Sequence, residues 1–119
     1  MFILEQNGID LNNSTVASLA SGTCALESSI LKKYQGIKKM FCVEFSKHRI
    51  KEIAPRVLNH YKIDPNIIEL CLGSFYDLKI EDNSLDIVIL CQAFHHAEYP
   101  DKLLREIRRV LKQNGKILI

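Results

Sequence analysis

Apolar residues along this chain fall into two rhythms, short solid runs and longer stretches spaced three and four apart, whose alternation predicts strand, helix, strand throughout. The polar stretch Asp10-Leu11-Asn12-Asn13-Ser14 reads as a loop. It leads into Val16 to Ala20, a short apolar run bounded by turn residues, as a strand buried on both faces requires. From Ala25 the period lengthens. Leu26, Ile30, Leu31 and Tyr34 share one helical face, and Gln35-Gly36 ends that helix with a glycine free to turn left-handed. Met40 to Glu44 is the second strand. Ile50, Ile53, Ala54, Val57, Leu58 and Tyr61 then mark the clearest helix, with Pro55 inside it predicting a kink or two short helices. Asp64-Pro65 breaks the chain before a third strand, Ile67 to Leu72, and Asp82-Asn83-Ser84 turns into a fourth, Leu85 to Cys91. Pro100 suits the first turn of a helix that carries Leu103, Leu104, Ile107, Val110 and Leu111 inward. Asn114-Gly115 stops that helix, and Ile117-Leu118-Ile119 begins a fifth strand.

Strands separated by helices of this length imply right-handed crossovers and a parallel sheet, an α/β architecture. In such sheets ligands bind beyond the carboxyl ends of the strands, where strand order reverses. The segments of interest therefore follow Ala20, Glu44, Leu72 and Cys91. Strand order itself is not written in the pattern.

Size and composition narrow the picture. With 119 residues the chain supports one core, so residues 1–119 are expected to form a single domain. Hydrophobic residues make up 47% and charged residues 25%, ordinary values for a soluble globular protein. A formal net charge of +2 comes without a concentrated basic patch, so no nucleic-acid partner is expected. The nearest approach to one, Arg105, Arg108, Arg109 and Lys112, is read as the solvated face of a helix. Cysteines 24, 42, 71 and 91 form no C-x-x-C pair, and no metal site is expected. Cys42, Cys71 and Cys91 lie in apolar runs, where a free thiol acts as a small buried hydrophobe and suits a reducing cytoplasm. Met1-Phe2-Ile3-Leu4-Glu5 lacks the pattern of a signal peptide, and no run approaches the roughly 20 apolar residues of a membrane span. The expectation is a soluble cytoplasmic protein with no membrane partner.

The candidate chemistry lies at the strand ends. Ala20-Ser21-Gly22-Thr23-Cys24-Ala25 is a turn of small residues that lets a ligand approach the backbone, next to a helix start with unpaired N–H groups. Glu44 ends the second strand about twenty residues later, where an acid can accept hydrogen bonds from both hydroxyls of a ribose. Gly73-Ser74-Phe75-Tyr76-Asp77 follows strand three, where an adenine ring would be flanked. Gln92-Ala93-Phe94-His95-His96 follows strand four, facing the side from which a substrate would enter. Together they point to an adenosine-containing cofactor.

Gly73-Ser74-Phe75-Tyr76-Asp77-Leu78, Asp82-Asn83-Ser84-Leu85-Asp86-Ile87-Val88-Ile89-Leu90, Phe94-His95-His96 and Leu104-Arg105-Glu106-Ile107-Arg108-Arg109-Val110-Leu111-Lys112 give the chain a further resemblance. From about Val16 to Ile119 it resembles the class I S-adenosylmethionine-dependent methyltransferases, in the branch of the ubiquinone and menaquinone biosynthesis enzymes. That resemblance implies a three-layer, doubly wound Rossmann-like fold of five mainly parallel strands, truncated relative to the family. The family sheet continues past strand five with a helix and an antiparallel hairpin. The chain is therefore either a fragment or covered at that edge by a second copy or another partner. The resemblance also implies S-adenosylmethionine as cofactor and a small-molecule methyl acceptor. Ser18, Ala20, Ser21, Gly22, Glu44, Phe45, Ser74, Phe75 and Gln92 are the positions it assigns to the cofactor. Ser18 stands where the family has an acid, Ala20 and Cys24 stand at usual glycines, and Ser74 stands at a frequent aspartate. Alanine for glycine is tolerable there unless the backbone needs a positive φ.

The implied reaction is direct displacement at the methyl carbon of a sulfonium. An oxygen nucleophile would need a base, and His95 or His96 fits by pKa; alternatively one histidine packs under the loop and the other caps the next helix. Asp86 is read as a strand-start residue, and Tyr76 and Tyr99 as aromatic walls. Two other readings stand beside this one. The turn followed by Glu44 is also a reduced dinucleotide fingerprint, which would make an NAD-binding domain. The altered turn also fits a binding or assembly module without catalysis.

Overall fold

The computed structural model describes residues 10–90 and 97–118. In chain order these form β1 (Thr15–Leu19), α1 (Ala25–Lys33) and β2 (Lys39–Glu44). A π-helical turn (Arg49–Ile53) runs into α2 (Ala54–His60), followed by β3 (Ile68–Leu72), β4 (Leu85–Ile89), α3 (Pro100–Val110) and β5 (Leu111–Leu118). The five strands lie in the order β3-β2-β1-β4-β5, and every neighbouring pair is parallel. From β1 the chain winds outward to β2 and β3, then returns to the other side for β4 and β5. The order reverses between β1 and β4, so a crevice opens at their carboxyl ends.

Alternation along the strands divides the interior in two. Val16, Met40, Cys42 and Ile68 pack with Ile30, Leu31, Ala54 and Leu58 on one face of the sheet. Ala17, Leu19, Val43 and Val88 pack with Leu103, Ile107 and Val110 of α3 on the other. β1 and β4 have neighbours on both sides and helices over both faces, which is why their sequences are almost wholly apolar.

Pro55 falls in the first turn of α2, where its missing N–H costs nothing, and the break expected there is the π-helical turn just before it. Two helix ends differ from expectation. Gly36 does not take a left-handed conformation; α1 stops at Lys33, and Gly36 instead admits a close approach by Asn12. Its N–H donates to Asn12 Oδ1 at 2.8 Å, and a Cβ at Gly36 would lie 2.7 Å from that oxygen. α3 ends at Val110 rather than at Asn114-Gly115. The N–H groups of Asn83 and Ser84 donate to the carbonyls of Arg109 and Val110 at 2.9 and 2.8 Å, satisfying the helix end from another segment. Leu111 is then free to extend and pair with Leu85, residues 112–115 bulge, and Lys116 to Leu118 resume pairing with Ile87 to Ile89. Among the described residues no helix is long and apolar enough to cross a membrane.

Candidate functional site

The carboxyl ends of β1, β2 and β3 meet through one side chain. Glu44, the last residue of β2, is 2% exposed. Its Oε1 accepts the Gly22 N–H at 2.9 Å and its Oε2 accepts the Ser46 N–H at 2.9 Å. Its own carbonyl accepts the Gly73 N–H at 3.1 Å, and the Ser21 N–H donates to the neighbouring Val43 carbonyl at 3.1 Å. The turn after β1, the end of β2 and the loop after β3 are thereby bound to one another. Each carboxylate oxygen keeps a second acceptor direction.

The turn itself is strained. Ala20, Gly22 and Cys24 have φ of 57, 61 and 68°, and only the middle one is glycine. The condition under which alanine is costly is therefore met at Ala20, and cysteine meets it at Cys24. Such conformations cost a non-glycine residue about 1–2 kcal/mol each. Around Gly22 nothing lies within 4 Å of where a Cβ would stand, so the backbone there is open to a ligand.

Beside the turn lies a cleft of about 210 Å³ lined by Ala20, Phe45, Gly73, Ser74, Phe75, Tyr76 and Glu98. Phe45 leaves the end of β2 75% exposed, a large apolar surface that suits one face of a flat ring. Phe75 meets Tyr76 edge to face, with centroids 4.8 Å apart, and Tyr76 meets Tyr99 at 5.9 Å. The Tyr76 hydroxyl accepts the Tyr99 N–H at 3.0 Å, so of the two expected aromatic walls Tyr76 lines the cleft and Tyr99 braces it. Ser74 Oγ accepts the Tyr76 N–H at 3.0 Å and retains its own proton to donate.

Of the positions expected to hold the cofactor, Ala20, Phe45, Ser74 and Phe75 line this cleft, and Ser21, Gly22 and Glu44 form its adjoining turn and anchor. Ser18 is different: it is 1% exposed and lies under α1 rather than on the cleft. Gln92, His95 and His96 lie outside the described residues. Asp86 sits at the opposite end of the sheet, where Oδ2 accepts the Thr15 N–H at 2.8 Å and Oδ1 pairs with Lys112 at 3.1 Å. Burial raises its pKa, but these partners outweigh that and hold it below the ordinary value.

Two features escaped the sequence reading. The first is Glu27 in the first turn of α1, 2% exposed. The Ser18 hydroxyl donates to its Oε2, while Oε1 has no hydrogen-bond partner among the described residues. Burial pushes its pKa above the ordinary carboxylate value, against the opposing pull of Ser18. Position 27 precedes Ile30 and Leu31 by three and four residues, so the apolar face of α1 itself marked a carboxylate pointing inward. The second is Arg109, which is not part of a solvated face. It donates to the carbonyls of Ile80 and Leu78 at 3.0 and 2.8 Å, to Asp82 at 2.5 Å and to Glu106 at 2.8 Å. Glu106 also accepts the Leu78 N–H at 2.6 Å, so the pair clamps the loop after β3 onto α3. Of the three cysteines expected to be buried, Cys42 is, Cys71 is half-buried with its thiol pushed up to about 11 chiefly by burial, and Cys91 lies outside the described residues. Cys24 is fully buried as well.

The residues present fit an adenosine cofactor at two points: an anchored carboxylate of the kind that takes ribose hydroxyls, and an aromatic cleft of the kind that takes a base.

Comparison with known proteins agrees. Residues 17–119 match the methyltransferase domain family. The ubiquinone/menaquinone biosynthesis C-methyltransferase of Cupriavidus necator is 24% identical over 119 residues, 100% of this chain and 47% of that protein. A glycine/sarcosine/dimethylglycine N-methyltransferase of Actinopolyspora halophila is 38% identical over 53 residues, 44% of this chain and 9% of that protein. Among solved structures, a candidate S-adenosyl-L-methionine-dependent methyltransferase from Methanococcus maripaludis superposes with a TM-score of 0.81 at 29% identity, covering 98% of this chain and 50% of that one. The chain spans about half the length of the Cupriavidus and Methanococcus proteins.

Proposed function

Because the chain belongs to the methyltransferase domain family, we propose that it takes part in methyl transfer from S-adenosylmethionine to a small-molecule acceptor. The observation that carries this reading is Glu44, held at the end of β2 between the left-handed turn and the cleft. Glu44 receives the ribose hydroxyls. Phe45 and Phe75 flank the adenine, and Ser74 donates to its edge. Ala20, Ser21 and Gly22 present bare backbone to the amino-acid end of the cofactor. When bound, the cofactor supplies an electrophilic methyl carbon on a sulfonium. The work left to the chain is positioning: holding acceptor and methyl carbon in line, which contributes several orders of magnitude in effective concentration. Gln92, His95 and His96 come after β4 in the sequence, and the family resemblance assigns Gln92 to the cofactor and offers a histidine to accept the proton of an oxygen nucleophile.

The rest of the picture follows from the same reading. Residues 1–119 act as one cofactor-binding domain. The buried thiols Cys24 and Cys42 suit a reducing cytoplasm. β5 lies at an edge of the sheet with Ile117 37% exposed, which suits cover by a second copy or a partner.

The test is a thermal-shift titration of the full chain with S-adenosylhomocysteine, with NAD alongside. Ligand at a hundred times its Kd stabilises by about 2.7 kcal/mol, on the order of ten degrees for a domain of this size. The expected result is a shift with S-adenosylhomocysteine alone, lost in Glu44→Gln. A shift with NAD instead would replace this reading with the dinucleotide one, and no shift with either would favour the non-catalytic module.

A further inference from the structure

Among the described residues only two charged side chains are fully buried, Glu27 and Glu44, and both adjoin the same turn. Glu44 holds it from β2 through Gly22. Glu27 stands in the first turn of the helix that leaves it, joined to Ser18, the next-to-last residue of β1. Their hydrogen bonding is unequal. Both oxygens of Glu44 accept backbone N–H groups, whereas Oε1 of Glu27 has no partner among the described residues and is closed off from solvent.

Packing alone gives no reason for this carboxylate. An apolar side chain would fill the space between α1 and β1 without a desolvated, half-bonded acid, and buried acids persist when something pairs with them. A missing cation would complete the arrangement. Glu44 and Glu27 border the same turn, one through Gly22 and the other through Ser18, and the amino-acid end of S-adenosylmethionine bears an α-ammonium. Oε1 is enclosed in the free protein, so contact requires the turn to shift. With two non-glycine residues held left-handed, that turn is strained and has energy to release on moving.

Resting on the function proposed above, we propose that Glu27 is the counter-ion for the ammonium of the cofactor's amino-acid end, with Ser18 holding its carboxylate in place from β1. Glu27 is a binding residue that selects ligands carrying the amine.

Two ligands separate this role from a structural one. S-adenosylhomocysteine has the ammonium but no sulfonium, and 5′-methylthioadenosine has the adenosine and sulfur but no amino-acid end. By isothermal titration of the full chain, Glu27→Gln should weaken S-adenosylhomocysteine about 10- to 100-fold and leave 5′-methylthioadenosine within about twofold. Ser18→Ala, which frees the carboxylate from its anchor, should show the same selectivity in smaller degree and serves if the glutamine variant does not fold. Equal loss of both ligands, or undiminished binding of S-adenosylhomocysteine, would overturn the proposal while leaving the cofactor reading in place. Failure of the unmodified chain to bind either ligand would overturn both.

Discussion

The two sides of the sheet hold charge in opposite ways. Beside α3, Arg109 and Glu106 make a closed network: the guanidinium has four partners and the carboxylate takes both Arg109 and the Leu78 N–H. Beside α1, Glu27 is held by Ser18, and among the described residues its Oε1 has no hydrogen-bond partner. The first arrangement fixes a loop and asks nothing further of the environment. The second is stable only because the surrounding fold is, and residues kept in that condition are the ones a ligand can reward. Both segments are tied down by backbone hydrogen bonds, but the turn beside α1 holds Ala20 and Cys24 at positive φ, where the loop beside α3 has only Asn83, a residue that tolerates it.

The clamp should therefore be the costlier of the two to break. Glu106→Ala removes the acceptor for the Leu78 N–H and leaves Arg109, whose side chain is 34% exposed, without its strongest partner. The expected loss is about 2–3 kcal/mol, read as a lower urea midpoint with unchanged slope. The loop after β3 should loosen too, seen as faster amide exchange at Leu78. A loss below about 0.5 kcal/mol would make the network an ordinary surface ion pair.

Acid titration should tell the two glutamates apart. Arg109 holds the Glu106 pKa below its ordinary value of 4.5, so the stability it contributes is present above that pH and is lost as pH falls through the lower folded value. Burial holds the Glu27 pKa above the same value, so its proton is retained more tightly in the folded chain. Stability is then highest below pH 4.5 for this group and declines as pH rises through the raised folded pKa. Cys24 and Cys42 face the same space, and the contact between their thiols holds Cys24 below and Cys42 above the ordinary value. Glu27→Gln should accordingly stabilise the ligand-free protein by about 1 kcal/mol at neutral pH, and remove the decline above pH 4.5. The same substitution is expected to weaken S-adenosylhomocysteine, a trade of function for stability. Destabilisation at neutral pH would mean that the ionised carboxylate is satisfied in the free state.

How much of this could be read from the chain depends on how local each cause is. The strands, the break before Pro55 and the placement of Glu44 follow from periodicity and spacing within a few residues. The end of α3 does not, because the N–H groups that satisfy it come from Asn83 and Ser84, distant in sequence. Arg109 was misread for the same reason: its partners are the carbonyls of Leu78 and Ile80, which no pattern on its own helix reveals. Glu27 was legible, as an acid on the face of Ile30 and Leu31, and was passed over. The altered glycines were visible as letters, but their cost depends on φ, which only the folded turn supplies.

The turn offers the smallest and sharpest comparison. At Ala20, φ of 57° penalises the Cβ, and the side chain borders the cleft rather than filling the core. Ala20→Gly should relieve that strain, less the entropy glycine adds to the unfolded chain, for a net gain of about 0.5 kcal/mol in urea denaturation. Cys24 has the more positive φ, 68°, but is 0% exposed, so Cys24→Gly trades strain for a cavity and should be neutral or destabilising. If strain is what primes the turn to move, Ala20→Gly should also reduce the favourable contribution that its release makes to binding S-adenosylhomocysteine, while the lost methyl opens the cleft. Unchanged stability together with tighter binding would mean that the methyl group, not the backbone, is what Ala20 contributes.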